Sequence, residues 1–225
     1  MKSYTVRDRV LTALFALALI IFTVTLSIGL PIYIRPFYYV QIDTLNMVED
    51  TGYEYEVIKE AYDEVLDYLT LPGGEFGTGK LAYSEDGASH FADCKALFNL
   101  NAWGYVVSAA LIIILLVLSR RGVFSFSRGA GFNVLFWSGA ATLGLFALVA
   151  ALASIDFDYA FVVFHSIFFP GKDNWVFNPR FDQIIRVMPQ EFFMNCAILI
   201  VTSIILLSLT WIVIGIVVRY KESKR

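Results

Sequence analysis

The stretch VLTALFALALIIFTVTLSIGLPIYI, from Val10 to Ile34, contains no charged residue and no histidine. Three further stretches share this property: Ala96 to Ser119, Gly129 to Ile155 and Phe192 to Val218. Each is 24 to 27 residues long, enough for a helix to cross a hydrocarbon core of roughly 30 Å. The stretches are continuously apolar and do not alternate, which favours helices over barrel strands. The sequence therefore predicts an all-α integral membrane protein with four membrane-spanning helices.

The whole chain, residues 1–225, is predicted to form a single membrane domain. It is 58% hydrophobic and 16% charged, which is too apolar for an ordinary soluble domain. The first apolar stretch lacks a clean small-residue cleavage site, so we expect an uncleaved anchor and not a signal peptide. We expect a four-transmembrane-helix bundle with an extracytoplasmic cap built from the two outer loops. The helices are expected at about 10–34, 104–119, 130–154 and 192–218, and the outer loops at 35–103 and 155–191.

Basic residues are concentrated on one side of the predicted helices. Segments 1–9, 120–128 and 219–225 hold ten of the 17 basic residues, whereas segments 35–95 and 156–191 hold 18 of the 20 acidic residues. The positive-inside rule therefore predicts that both termini are cytoplasmic and that the two long loops lie outside. The ten basic residues are Lys2, Arg7, Arg9, Arg120, Arg121, Arg128, Arg219, Lys221, Lys224 and Arg225.

The outer loops carry local patterns of their own. In EYEVIKEAYDEVLDYL, residues 54–69, apolar residues form one stripe and acidic residues the other, which predicts an amphipathic helix packed on the rest of the loops. The apolar segment FVVFHSIFF, residues 161–169, is too short to span a bilayer, so we expect a re-entrant or interfacial segment. The glycine-rich GGEFGTG, residues 73–79, lacks the ending of a phosphate loop and is interpreted as a flexible loop. No nucleic-acid partner is expected.

The chain has two histidines, His90 and His165, and each lies where an apolar run meets a polar outer loop. Imidazole exchanges a proton near neutral pH, so the pair is a candidate for general acid–base catalysis. Asp93, three residues after His90, could orient that ring as a carboxylate does in a catalytic triad. The apolar surroundings of His165 are expected to keep its imidazole neutral and therefore basic. Taken singly, each histidine could instead be a packed or loop residue.

Two other kinds of bond are possible in the outer loops, zinc coordination by the histidines and a disulfide between the two cysteines. The histidines together with Asp93 or Asp182 could bind zinc, but the HExxH spacing of a zinc protease is missing and we expect neither metal nor cofactor. Cys94 and Cys196 are both expected near the outer ends of helices, so a disulfide is geometrically possible. Two packed thiols are the simpler interpretation.

Two long motifs surround the histidines: SHFADCKALF, residues 89–98, and FHSIFFPGKDNWVFNPRFDQIIRVMPQEFF, residues 164–193. In these motifs, and in the order of its helices and loops, the whole chain resembles the bacterial four-helix membrane family of lipoprotein intramolecular transacylases. The chain departs from the family pattern at Phe91, Cys94 and Asn178. Both histidines and Asp93 remain in place.

The resemblance implies an enzyme that acts on a diacylated bacterial lipoprotein, whose N-terminal cysteine carries an S-diacylglyceryl group. The enzyme would move the sn-2 acyl chain to the α-amino group of the same cysteine and leave a lyso-form lipoprotein. It would be a multi-pass protein of the bacterial cell membrane, in contact with membrane lipid, with its active site on the outer face.

In this interpretation His165 is the preferred general base and His90, beside Asp93, is the preferred acid, with the reverse assignment open. The oxyanion of a tetrahedral intermediate needs hydrogen-bond donors. Two other function classes are open, a small membrane transporter and a non-catalytic subunit of a membrane complex. The uncharged helices argue against an ion path, and a non-catalytic subunit leaves the histidine motifs without a purpose. The candidate oxyanion donors are Lys95, Asn174, Trp175 and Arg180.

Overall fold

The computed structural model describes residues 3–224, which form nine helices. Lys2 and Arg225, two of the basic residues used to orient the chain, lie outside the described residues. The helices are α1 (Val6–Tyr33), α2 (Pro36–Thr44), α3 (Met47–Thr51), α4 (Tyr55–Thr70), α5 (Glu85–Arg120), α6 (Val134–Ala153), α7 (Phe157–Phe168), α8 (Ile184–Val187) and α9 (Gln190–Ser223).

Four helices, α1, α5, α6 and α9, are long and apolar enough to cross a membrane. They confirm the prediction of an all-α, multi-pass membrane protein. The largest difference in bounds concerns α5, which has 36 residues and begins at Glu85, well before the span expected from about residue 104. Hydropathy marks only the apolar part of a helix, whereas backbone hydrogen bonding continues through the polar residues before Ala96. The histidine motif at 89–98 is therefore helical.

The described chain divides into two compact units, and the four long helices α1, α5, α6 and α9 contribute residues to both. The first unit comprises the chain up to residue 28, residues 102–151 and the chain from residue 200. Close helix contact in this unit depends on small residues, because a side chain at Gly139 of α6 would lie 2.6 Å from the Ser208 carbonyl of α9. The buried apolar residues of its core are Phe15, Leu19, Leu115, Phe124 and Val134.

The second unit comprises residues 29–101 and 152–199, which are the predicted outer loops with the adjoining helix ends. Tyr38 of α2 and Tyr62 of α4 stack at its centre with ring centroids 3.6 Å apart, and Phe192 of α9 packs edge-on against Tyr38 at 5.2 Å. The buried Tyr38 hydroxyl donates a hydrogen bond to the Val187 carbonyl, so the polar end of the ring is satisfied. The two loops therefore pack around one shared core, as predicted for the cap.

Helix α4 confirms the predicted amphipathic helix. The stripe faces this shared core, and the acidic residues lie on the other side. The stripe is thus covered by protein, as predicted from its pattern. The buried residues of the stripe are Ile58, Ala61, Tyr62, Val65, Leu66 and Leu69.

The start of α5 is attached to the segment that follows the second histidine motif. The backbone N–H and the hydroxyl of Ser84 both donate to Oδ1 of Asp182, at 2.9 and 2.7 Å. Gly87 is required beside this contact, because a β-carbon there would overlap the Asp182 carboxylate. The two outer segments that carry the histidine motifs are therefore joined directly, which determines where α5 places His90.

Candidate active site

The structure brings the two histidines together. His90 lies in the first turns of α5, before the apolar span of that helix, and His165 lies on the buried side of the short helix α7. Their ring centroids are 5.7 Å apart with 32° between the ring planes, and each residue is 6% exposed. The predicted re-entrant or interfacial segment is this 12-residue helix, which is too short to span a bilayer. The histidines thus form a buried pair within the second unit.

Aromatic rings surround the pair on several sides. Phe169, at the end of α7, contacts both imidazoles, with centroid distances of 4.8 Å to His90 and 5.6 Å to His165. Phe177 packs edge-on against His90 at 5.4 Å, and Phe161 lies 4.3 Å from His165. Such apolar surroundings disfavour the charged form of an imidazole.

His165 has a defined tautomer. Its Nδ1 lies 2.8 Å from the Phe161 carbonyl oxygen, which can only accept a hydrogen bond, so Nδ1 carries the hydrogen. The Nε2 lone pair is therefore the basic site of this ring. Burial lowers the pKa of His165, partly offset by the hydrogen bond to Phe161, so the ring is neutral at neutral pH. These features suit the general base that was predicted here.

The surroundings of His90 differ from the sequence prediction. Burial, and secondly the neighbouring His165, lower its pKa to about 4, although the charge of Asp93 acts in the opposite direction. At rest His90 is therefore neutral, so as the predicted acid it must first accept a proton. Its Nε2 lies 3.4 Å from the Cys94 sulfur, one helical turn along α5, and its Nδ1 has no hydrogen-bond partner among residues 3–224.

Asp93 does not hydrogen-bond to His90, so the predicted direct triad-like contact is absent from the described residues. Its Oδ1 accepts a hydrogen bond from the Lys172 ammonium, and its Oδ2 accepts one from Nδ2 of Asn174 at 3.1 Å. A cation and an amide on the facing segment are better placed partners than a ring on the same helix. Hydrogen bonding from Lys172 is the main cause that lowers the pKa of Asp93, which is therefore ionised.

Two of the four candidate oxyanion donors, Asn174 and Trp175, lie at the histidine pair. The Trp175 ring stacks on His165 with centroids 4.5 Å apart, and its Nε1–H donates to the Lys172 carbonyl at 3.1 Å. The Asn174 Nδ2 group donates to Asp93 and, at 3.3 Å, to the Ser89 hydroxyl. Both N–H groups already have protein acceptors, and a role on an oxyanion would require those bonds to open.

The other two candidate donors are directed elsewhere. The Lys95 ammonium donates to the Gly73 carbonyl at 2.9 Å and lies 4.1 Å from the centre of the Tyr68 ring. It therefore holds the glycine-rich loop after α4. Arg180 is exposed in the connection after α7, where its backbone N–H donates to Asn178. The structure does not bring the side chain of Lys95 or Arg180 into contact with the histidines.

The structure also shows how the possible ligands of a metal site and the two cysteines are arranged. Within residues 3–224, no group of three or more histidine, cysteine or acidic side chains is arranged to hold a metal ion. Asp182, one of the considered ligands, is bound to Ser84 instead. Cys94 and Cys196 are free thiols and form no disulfide.

Sequence reasoning missed two neighbours of the histidines, Lys172 and Cys94. Lys172 is the basic residue of the PGKDNW turn. Its charge is opposite to that of Asp93, and this complementarity could have predicted that the two motifs pair. Cys94 is four residues after His90, so helical spacing placed its thiol beside the imidazole. The ion pair of Lys172 with Asp93 therefore couples the two histidine motifs, whereas the Cys94 thiol contacts His90 within the first motif.

The family model of the lipoprotein intramolecular transacylase Lit matches residues 13–193 of the chain. The chain belongs to the Lit family. Membership identifies it as a membrane acyltransferase that acts on lipoproteins, and it decides against the transporter and the non-catalytic subunit. A comparison with curated proteins gives no significant match.

Solved structures with the same fold agree with membership of the Lit family. The membrane-integral lipoprotein intramolecular transacylase Lit from Bacillus cereus is 25% identical, with a TM-score of 0.87 over 97% of this chain and 99% of that chain. A histidine-to-arginine variant of the Bacillus cereus protein gives a TM-score of 0.79 at 24% identity, over 97% of this chain and 95% of that chain. A histidine-to-alanine variant gives 0.80 at 24% identity, over 97% of this chain and 96% of that chain.

Proposed function

We propose that the chain moves the sn-2 acyl chain of an S-diacylglyceryl cysteine to the α-amino group of the same cysteine, at the N-terminus of a bacterial lipoprotein. The product is an N-acyl, S-monoacylglyceryl lipoprotein. His90 and His165 carry the protons. The observation that supports this most strongly is the buried pair of imidazoles, 5.7 Å apart, in a chain of the transacylase family.

The reaction is the aminolysis of an ester, and proton transfer is its main requirement. An α-amino group has a pKa of about 8, so the substrate arrives largely as an ammonium ion, which is not a nucleophile. In the proposed sequence, His90 takes a first proton from the ammonium, and the free amine then attacks the ester carbonyl carbon. A C–N bond forms, and Nε2 of His165 takes the second proton from the attacking nitrogen.

Collapse of the tetrahedral intermediate completes the transfer. The bond between the acyl carbon and the sn-2 oxygen breaks, and the His90 imidazolium protonates the leaving oxygen. His165 then releases its proton to water. The products are an amide, a free sn-2 hydroxyl and one proton, which balances the reaction from ammonium and ester. Two neutral imidazoles at rest suit this sequence, because each must accept one proton.

Donor and acceptor belong to one molecule, so attack passes through a ring of roughly eight atoms that rarely closes in solution. Holding the two ends together can supply a large part of the rate enhancement, since effective molarities of well-oriented groups reach about 10⁵ M or more. The aromatic rings around the pair exclude water from this closed arrangement. Apolar walls also suit the diacylglyceryl group of the substrate.

We further propose that both termini are cytoplasmic and that the histidine pair lies on the outer side of the membrane. Segments 120–128 and 219–225 are rich in basic residues, whereas the second unit contains most of the acidic ones. A mature lipoprotein is anchored with its modified cysteine at the outer leaflet. The proposed side therefore brings substrate and histidines to the same surface.

The proposed reaction is tested with a diacyl lipopeptide that carries an isotopically heavy sn-2 chain, mixed with an equal amount of a light lipopeptide of different peptide mass. We expect mass spectrometry to show the heavy chain only on the amine of the lipopeptide that originally carried it. Exchange of heavy chains between the two peptides would contradict intramolecular transfer. Transfer of the sn-1 chain would contradict the proposed donor position.

A further inference from the structure

Two buried polar atoms beside the histidine pair have no hydrogen-bond partner among the described residues: Nδ1 of His90 and Oδ1 of Asn174. A buried polar atom without a partner destabilises the folded state, so it calls for a functional explanation. An imidazole nitrogen can carry a hydrogen, whereas an amide oxygen can only accept one. The two atoms are therefore a complementary donor and acceptor.

The amide of Asn174 has a fixed orientation. Its Nδ2 donates to Oδ2 of Asp93 at 3.1 Å and to the Ser89 hydroxyl at 3.3 Å. Because Asp93 is itself held by the Lys172 ammonium, the amide cannot turn over without losing a bond to a paired carboxylate. The carbonyl oxygen Oδ1 of the amide is thus available to accept a hydrogen bond from another group.

The imidazole of His90 is the neighbouring group that can supply this hydrogen bond. The amide of Asn174 binds Ser89 and Asp93, which lie one and three residues from His90 on α5, so it lies beside this ring. Burial lowers the pKa of His90, and hydrogen bonding with Asn174 acts in the opposite direction. The contact falls short of full hydrogen-bond geometry in the free protein. Catalytic hydrogen bonds are often long in free enzymes and tighten in the complex with substrate.

We infer that Asn174 is the positioning residue of His90, and that its Oδ1 accepts the Nδ1 hydrogen of His90 during the reaction. This inference rests on the proposed function of the histidine pair. With Nδ1 occupied, Nε2 of His90 is the nitrogen that exchanges protons, and the Cys94 thiol is its weak partner at rest. The imidazolium formed during the reaction is stabilised by the amide oxygen of Asn174. The Asp93 carboxylate accepts a hydrogen bond from the Nδ2 group of the same amide.

The test uses the full-length enzyme in detergent, with a diacyl lipopeptide as substrate. Asn174→Leu removes the acceptor at similar volume, and we expect kcat to fall roughly ten- to a hundredfold with KM little changed, because orientation is lost while apolar contacts remain. Asn174→Asp keeps an acceptor oxygen and adds a negative charge beside His90, but it loses the two Nδ2 hydrogen bonds to Asp93 and Ser89. We expect it to recover part of kcat and to move the acidic limb of the kcat/KM profile to higher pH.

Asn178→Leu is the matched control, because Asn178 is an exposed asparagine of the same connection whose Oδ1 binds the Arg180 backbone. We expect a wild-type kcat and an unshifted pH profile for this control. The inference is overturned if Asn174→Leu keeps the wild-type kcat, or if the acidic limb of Asn174→Asp does not move. If Asn174→Leu does not fold, the kcat and pH profile of Asn174→Asp decide alone.

A separate variant distinguishes failure of the inference from failure of the proposed function. If His90→Ala is inactive while both Asn174 variants behave as wild type, His90 is required and the positioning role of Asn174 is wrong. If His90→Ala retains wild-type activity, the proposed histidine mechanism fails, and the positioning role fails with it.

Discussion

At the scale of single residues, His90 is held in an environment that opposes its charge. The ring is 6% exposed, packs against Phe169 and Phe177, and faces a second imidazole. The nearest negative charge, on Asp93, is already paired with Lys172. A neutral imidazole at this place can accept a proton from a substrate ammonium and return it to a leaving oxygen. In the proposed mechanism, burial therefore keeps His90 neutral and able to accept a proton.

The neutral state of His90 leads to a prediction about stability and pH. An unfolded histidine binds a proton below about pH 6.5, whereas folded His90 has a pKa of about 4. Between these values the unfolded state binds more protons, so the free energy of unfolding falls as the pH falls. We expect the apparent Tm of the wild type in detergent to decline from about pH 6.5 to about pH 4. The decline should be shallower for His90→Gln, whose amide does not titrate.

Comparison of the wild type with His90→Gln isolates the contribution of the His90 imidazole to the pH dependence of Tm. The titratable groups around His90 are unchanged in His90→Gln, so their contributions to the slope largely cancel; these groups are His165, Asp93, Lys172 and Cys94. Differential scanning fluorimetry at matched ionic strength measures both profiles. Parallel declines of Tm in the two proteins would contradict a buried His90 that stays neutral.

At the scale of elements, hydropathy was sufficient to find the four long helices but not the whole of α5. The polar turns from Glu85 to Lys95 show no membrane signal, although they carry His90 and Asp93. What determines their position is the contact of Ser84 with Asp182, which joins residues 98 positions apart. Long-range contacts of this kind leave no periodic pattern in the sequence, so the pairing of the two histidine motifs could not be derived from spacing alone.

The distribution of charge at the helix ends leads to a prediction about topology. Basic residues cluster where α5 and α9 end, while the loop after α4 is glycine-rich and belongs to the second unit, which holds most of the acidic residues. We expect a cysteine introduced by Glu75→Cys to react with an impermeant maleimide in intact cells, because the proposed orientation places this loop outside. A cysteine introduced by Ser223→Cys should react only after the membrane is permeabilised. Both positions are exposed.

The native cysteines require a control in this experiment. Cys94 and Cys196 are half-buried free thiols, so labelling of the unmodified protein gives the background. A label at Ser223→Cys in intact cells, with protection of Glu75→Cys, would reverse the proposed orientation and move the histidine pair to the cytoplasmic side.

At the scale of the whole molecule, sequence patterns predicted the helical class and the packing of α4. They also identified the two histidines as a candidate pair. They did not predict the hydrogen-bond partners of Asp93. His90, Lys172 and Asn174 were all possible partners, and the fold of two distant segments decides which of them reach the carboxylate. Lys95 and Arg180 were proposed as donors from chemistry alone, and the folded chain directs Lys95 to Gly73 and leaves Arg180 exposed. Residue type identifies candidates, whereas tertiary contacts decide which of them meet.

The central claim is that both histidines carry protons in one acyl transfer. The most direct measurement is the single-turnover rate of lyso-form lipopeptide formation, followed by mass spectrometry, for folded His90→Ala, His165→Ala and the double variant. Loss of a general acid or base costs about 100- to 10,000-fold, and groups that act as a unit are not additive. Each single variant should therefore lose at least about a hundredfold, and the double variant should be little slower.

Two further variants complete this measurement. Ser166→Ala, which changes an exposed neighbour of His165 on α7, should keep the wild-type rate. Asp93→Asn should be slowed less than either histidine variant, since it weakens the support of Asn174 without removing a proton carrier. A wild-type rate in either His90→Ala or His165→Ala, at normal folding, would contradict the two-histidine mechanism.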